Sequence, residues 1–319
     1  MTSTSSTRPT TTLGLLPERE VARRISRVER GEIVDVAVEK ARDSAGGAYV
    51  VGITGSPGSG KSTLVDALAR EIRAEGRTVA VLAIDPSSHL TGGAVLGDRV
   101  RMSSHTQDPG IYIRSMGTRG STTGLARAAR DAVAVLDSAG YKVIIVETVG
   151  VGQGELDVLT IADTIAVVLV PGLGDTMQMN KAGIMEIGDV FVVNMADRPE
   201  TTGFVRDLKQ ALSIGARHTD RPPVCCTVAL TGDGVDDLWA TLRGLDERDR
   251  VSGRRLQRRQ DQQNGELTRQ IETQVGQLLR QAMTDSAALD DLRLRVFDGE
   301  LTPRQAATRW LSGVTIQLP

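Results

Sequence analysis

A chain of 319 residues with 40% hydrophobic content has enough apolar material for one large domain with appendages. Its net charge of −2 and aromatic content of 3% exclude the basic footprint and stacking surfaces of a nucleic-acid binder, and the basic face of an anionic-membrane binder. No apolar run approaches the ~20 residues of a membrane span, and Cys225 and Cys226, adjacent on a strand, point to opposite faces and form no disulfide, which fits a reducing cytoplasm.

In chain order, residues 1–12 are rich in Ser and Thr without an apolar core, so they read as a disordered tail and not a secretory signal. A transit peptide is the alternative. Residues 13–47 read as an N-terminal helical segment, with Val21, Ile25 and Val28 on one face and Gly46-Gly47 as its end. From 48 to 249 strand-like and helical runs alternate. The strands are expected at 49–54, 78–84, 111–115, 142–147, 164–170, 189–194 and 223–229. The helices are expected at 61–75, 123–138, 155–162, 178–187, 201–213 and 234–245. This alternation predicts an α/β fold: a mostly parallel sheet between two helical layers, with ligands at the carboxyl ends of the strands. Residues 250–319 form a separate helical arm. Its sparse apolar set is Leu256, Leu267, Ile271, Val275, Leu278 and Leu279, and the last five form a narrow stripe that suits packing on a partner helix, or docking on its own domain. Two short helices follow within 286–311, and Thr302-Pro303 is a start signal for the second.

The segments after the strands carry the chemistry. Gly55-Ser56-Pro57-Gly58-Ser59-Gly60-Lys61-Ser62, followed by Thr63, is a complete P-loop between a strand and a helix. Its glycines let backbone N–H groups turn onto phosphate oxygens, and the helix N-terminus adds its positive dipole end. Lys61 is expected on the β- and γ-phosphates and the Ser62 hydroxyl on Mg²⁺. The second strand ends at Asp85, followed by a long segment containing Asp98. Either Asp suits the Mg²⁺ shell, or is simply a turn or capping residue. The fourth strand ends at Glu147, a Walker-B position, with Gly150 three residues on to offer an amide to the γ-phosphate. Val151 stands where a Ras-like enzyme has its water-orienting Gln, so slow intrinsic hydrolysis is expected. Arg99, Arg101, Arg114 and Arg119 are candidate charge stabilisers or ordinary ion-pair residues. After the sixth strand, Asn194-Met195-Ala196-Asp197 matches the guanine-reading Asn-Lys-x-Asp pattern except for Met195. A site built to pair a polar base edge rejects the wrong base, because its groups are then left unpaired. Val228 and Ala229, ending the seventh strand, are candidates to place a backbone amide on the guanine carbonyl.

These residues together resemble the MeaB/ArgK-type GTPases, chaperones of adenosylcobalamin-dependent methylmalonyl-CoA mutase. The resemblance covers about residues 13–312. Its carriers are residues 55–63, the runs Ala83-Ile84-Asp85-Pro86-Ser87-Ser88, Leu90-Thr91-Gly92-Gly93 and Leu96-Gly97-Asp98-Arg99-Val100-Arg101-Met102, residues 147–153, and Gly174-Asp175 with Gln178. It implies a P-loop G-domain, GTP/GDP and Mg²⁺ as ligands, and catalytic and metal positions at Lys61, Ser62, Asp85, Asp98 and Glu147. It also implies a switch at about 172–181, a homodimer through the C-terminal arm, and a methylmalonyl-CoA mutase partner. Met195 is the departure from its pattern. Three other readings share the P-loop. A metal-delivery maturation GTPase needs Cys/His ligand spacing, and His89, His105 and His218 are scattered. A kinase needs a phosphate acceptor other than water. An ATP-dependent partitioning protein usually has a second Lys early in the P-loop, in the region where Ser56 stands.

Overall fold

The computed structural model describes residues 13–32, 47–85, 108–117, 122–148, 160–172, 184–215, 221–284 and 286–313. Seven strands form one all-parallel sheet: β1 (Tyr49–Gly55), β2 (Val79–Asp85), β3 (Ile111–Gly117), β4 (Val143–Thr148), β5 (Thr164–Leu169), β6 (Val190–Val193) and β7 (Val224–Cys226). Their spatial order is β3-β2-β4-β1-β5-β6-β7. The helices are α1 (Glu18–Glu29), α2 (Lys61–Ala74), α3 (Thr122–Ser138), α4 (Ile184–Ile187), α5 (Thr201–Gly215), α6 (Val235–Val251), α7 (Arg254–Thr284), α8 (Ala287–Phe297) and α9 (Pro303–Gly313).

Parallel strands need crossover connections, and crossovers put helices on both faces. The central strands are therefore buried on both sides and read as unbroken apolar runs; Val143 through Val146 are all fully buried. Alternate residues feed two cores. Val50, Leu82, Ile144 and Val167 face a layer containing α1, α3 and α5. Val51, Val81, Ile145 and Val168 face a layer containing α2 and α6. The expected face of α1 is correct: Val21, Ile25 and Val28 are all buried against α3 and the sheet. Each such side chain contributes about 1.5–3 kcal/mol.

The expected strand at 223–229 is shorter than its apolar run. The ladder stops after Thr227 donates to Val193 O, because Val228 turns to pair with Asp233 and its carbonyl accepts from Thr231 and Gly232. Residues 160–162 lead into β5 without a helix, and the rest of the helix expected at 155–162 lies outside the described residues. Of the helix expected at 178–187, residues 184–187 are described and helical. The tail 1–12 and residues 33–46 also lie outside them.

The chain forms two compact units, residues 1–259 and 260–319. The second has its own small core of Leu292, Leu301, Ala306 and Trp310. Ser286 caps α8 through Leu289 N and accepts from Trp310 Nε1 at 3.0 Å. Thr302 and Gln305 cap α9 reciprocally: Thr302 N donates to Gln305 Oε1 and Gln305 N to Thr302 Oγ1. The start signal at Thr302-Pro303 is therefore explained by a capping box.

Candidate nucleotide site

The P-loop leaves the carboxyl end of β1, between β4 and β5, and enters α2. Gly55 has φ +150, and a Cβ there would meet Val168 O at 2.2 Å, so β5 is too close for any side chain. Lys61 folds back over the loop. Its ammonium donates to Gly55 O at 2.7 Å and Ser56 O at 2.9 Å, and the residue is only 6% exposed. A buried ammonium needs such partners. The α2 N-cap, Gly60, offers no side-chain cap, so the first-turn amides keep their positive dipole end available to an anion.

Strand alternation builds the next contact. Val143, Ile145 and Glu147 share the face covered by α2. Ser62 opens α2 on that same side. The Ser62 hydroxyl therefore donates to Glu147 Oε1 at 2.7 Å, although 85 residues separate them in sequence. A hydroxyl and a carboxylate at the end of a buried strand are the hard oxygen donors that Mg²⁺ prefers, so the two residues fit that ion.

The base loop follows β6. Asn194 is buried, and it ties three segments together. Its Nδ2 donates to Ser59 O at 2.9 Å, and its Oδ1 accepts from Thr227 Oγ1 at 3.2 Å and Ala229 N at 3.1 Å. A Cβ on Gly60 would lie 2.5 Å from Asn194 Nδ2, so glycine there is what admits this strut. Asp197 is exposed two residues beyond Met195. The Val228 amide donates to Asp233 O and the Ala229 amide to Asn194 Oδ1, so in this structure both amides are used inside the protein.

Asp85 is the last residue of β2, in register with Gly117 on β3. Asp98, Gly150, Arg99, Arg101 and Arg119 lie outside the described residues, as does most of 172–181. Arg114 is an ion-pair residue: it donates to Glu29 Oε2 at 2.6 Å and Ser26 Oγ at 3.1 Å of α1, which removes it from the candidate charge stabilisers.

Sequence reasoning missed a second polar cluster at the opposite, amino ends of the strands. Asp163, just before β5, is 3% exposed at its side chain. Its carboxylate accepts two bonds of 2.7 Å from Arg259 and one of 2.9 Å from Val50 N. Arg259 also donates to Ala48 O; Arg255 reaches Gly47 O, Ala48 O and Asp246; Arg258 reaches Asp163 O and Asp189. Burial alone would raise the Asp163 pKa, but the Arg259 hydrogen bonds and the charges of Arg259 and Arg255 hold it below the usual carboxylate range. The signal was present: Arg255, Arg258 and Arg259 lie at helical i, i+3, i+4 spacing on one face of α7.

The chain is similar to known proteins. A family model described as methylmalonyl Co-A mutase-associated GTPase MeaB matches residues 22–284. A protein of Pyrococcus abyssi named as a GTPase is 44% identical over 300 residues, 91% of this chain and 90% of its own. GTPase ArgK of Escherichia coli K12 is 38% identical over 217 residues, 66% of each chain. The mitochondrial methylmalonic aciduria type A homolog of Mus musculus is 32% identical over 81% of this chain and 64% of its own. Among solved structures, one described as LAO/AO transport system kinase superposes with a TM-score of 0.63 and 28% identity, covering 92% of this chain and 97% of that one.

Proposed function

Because the chain belongs to the MeaB family of methylmalonyl-CoA mutase-associated GTPases, we propose that this guanine-nucleotide-binding GTPase is a slow two-state switch that gates cofactor loading into methylmalonyl-CoA mutase and protects that enzyme. The observation that carries the switch reading is the 2.7 Å contact between Ser62 Oγ and Glu147 Oε1 beside the buried Lys61. The mutase part rests on the family and on the methylmalonic aciduria relative.

In this reading the amides of residues 55–63 wrap the phosphates, and Lys61 exchanges its two carbonyl partners for β- and γ-phosphate oxygens. Ser62, Asp85, Asp98 and Glu147 hold Mg²⁺ directly or through water. The ion, when bound, supplies positive charge at the β- and γ-phosphates. Asp85 and Glu147 fix the shell on which hydrolysis depends, and the Gly150 amide meets the γ-phosphate. Asn194 and Asp197 read guanine, and an amide of Val228 or Ala229 meets the base carbonyl by giving up its present partner, Asp233 O or Asn194 Oδ1. Presence or absence of the γ-phosphate gives the two states.

The homodimer is proposed through the arm, residues 250–319. Leu267, Ile271 and Val275 are exposed by 61%, 54% and 38% along one stripe of α7, which supports a second copy as their cover. A cytoplasmic site of action agrees with two free thiols, Cys225 and Cys226, and no described helix is long and apolar enough to cross a membrane.

The test is hydrolysis of GTP, with ATP as control, by the purified chain alone and with methylmalonyl-CoA mutase. A slow GTP-selective rate that the mutase raises is expected. A rate indifferent to the mutase, with no complex on gel filtration, would remove the partner. Preference for ATP would remove the guanine reading.

A further inference from the structure

The register between β1 and β4 ends at Ile53 and Glu147. Beyond it β1 continues beside β5, Gly55 lying opposite Val168, and then turns into the P-loop. β4 continues beside β2, with Thr148 opposite Ile84. Side chains carry on the tie between β1 and β4. Thr148 Oγ1 donates to Thr54 Oγ1 at 3.1 Å, with Ile53 O as a second acceptor at 3.5 Å. Thr54 and Thr148 are both fully buried. They lie on the sheet face shared by Val50, Ile144 and Val146, away from α2.

Folding stability gives little reason for this pair. Val has the shape of Thr, and replacing both partners of a buried hydrogen bond by apolar groups of the same shape can be nearly neutral. A hydrogen bond differs from an apolar contact in fixing distance and direction. What it fixes here has a use on the other face. Glu147 precedes Thr148 and projects to the opposite side, where its Oε1 accepts from Ser62. Thr54 precedes Gly55, whose carbonyl accepts from Lys61. The bridge thus joins the two residues that neighbour the polar contacts of the nucleotide site.

We propose that Thr148 is a positioning residue: its hydroxyl bridge to Thr54 takes over where the β1–β4 ladder stops, and so holds the Glu147 carboxylate at Ser62. Thr148 touches neither nucleotide nor metal and acts through Glu147. This rests on the reading that Ser62 and Glu147 hold Mg²⁺.

Calorimetric titration of Mg²⁺ into the GDP-loaded full chain tests it, with urea unfolding and GTP hydrolysis measured alongside. Thr148→Val should raise the Kd for Mg²⁺ about fivefold, equivalent to ~1 kcal/mol. At low Mg²⁺ its kcat should fall while KM for GTP stays, and excess Mg²⁺ should return kcat to near its native value. Thr148→Ser keeps the hydroxyl and should restore Mg²⁺ affinity to within about twofold. The double variant Thr54→Val/Thr148→Val should unfold near the native urea midpoint, because both hydroxyls leave together, yet still bind Mg²⁺ weakly, which separates positioning from folding. Glu147→Gln checks the metal reading itself and should raise the Kd for Mg²⁺ at least about tenfold. The proposal is overturned if Thr148→Val and the double variant bind Mg²⁺ within about twofold of the native chain, if Thr148→Ser fails as Thr148→Val does, or if Mg²⁺ affinity simply follows the urea midpoint across the variants. An unchanged Kd in Glu147→Gln would overturn the metal reading of Glu147, and the proposal with it.

Discussion

The two ends of the sheet bury charge among different partners. At the amino ends, Asp163 is surrounded by Arg255 and Arg259, and their charges compensate one another. At the carboxyl ends, Lys61 is held by the neutral carbonyls of Gly55 and Ser56, and Ser62 by Glu147. A closed ion cluster is a finished structure: its energy is realised on folding and nothing has to arrive. An ammonium held on carbonyl oxygens gains an opposite charge when phosphate oxygens replace them. Both ends belong to the same strands. β1 begins just after the Arg259 contact at Ala48 and ends at Gly55, and β5 begins just after Asp163 and carries the Val168 carbonyl against Gly55. The scaffold is thus clamped at one end and open to chemistry at the other.

The difference can be broken from either end. The largest effect on stability is expected from Asp163→Ala, which takes the buried carboxylate away from Arg259 and should cost about 3–5 kcal/mol in urea unfolding. Nucleotide affinity of the folded fraction should change little. A cost below about 1 kcal/mol would show that the amino-end cluster is not a structural clamp. Lys61→Ala should do the reverse: GTP affinity falls at least about a hundredfold and phosphate release stops, while Tm holds. A large fall in Tm would make Lys61 a structural residue and erase the contrast.

Acid titration sharpens the same point. The folded Asp163 pKa is lowered, so its contribution to stability is present above the usual carboxylate value of about 3.9 and is lost as pH falls below it. Asp246 in the same cluster is raised, chiefly by burial, so it acts with the opposite sign and gains stability as pH falls through its folded value. Asp163→Asn should flatten the acid limb of the stability curve and Asp246→Asn should steepen it. Matching acid limbs in all three proteins would show that the cluster does not titrate on unfolding. The smallest effect is expected outside both ends. Ser286→Ala removes the cap of α8 and the Trp310 Nε1 acceptor and should cost about 1 kcal/mol in thermal unfolding, without changing GTP hydrolysis.

What the sequence determined by itself is what local pattern encodes. Alternating apolar runs forecast the parallel sheet, Val21, Ile25 and Val28 forecast the buried face of α1, and residues 55–62 announced the P-loop, because periodicity and glycine spacing are written in neighbouring positions. Tertiary structure alone decided what depends on distant residues. Ser62 meets Glu147 across 85 positions only because β4 lies beside β1. Arg114 pairs with Glu29 because α1 packs on the face of β3 that carries it. Arg255 and Arg259 read as surface charges of a polar helix until Asp163 is brought beneath them. Met195 looks like a neutral substitution in the sequence. Its left-handed backbone and its reach to Gly60 exist only because Leu169 at the end of β5 and Thr227 just past β7 fix the turn on either side. Backbone strain and charge compensation are properties of an environment, and the environment is assembled by the fold.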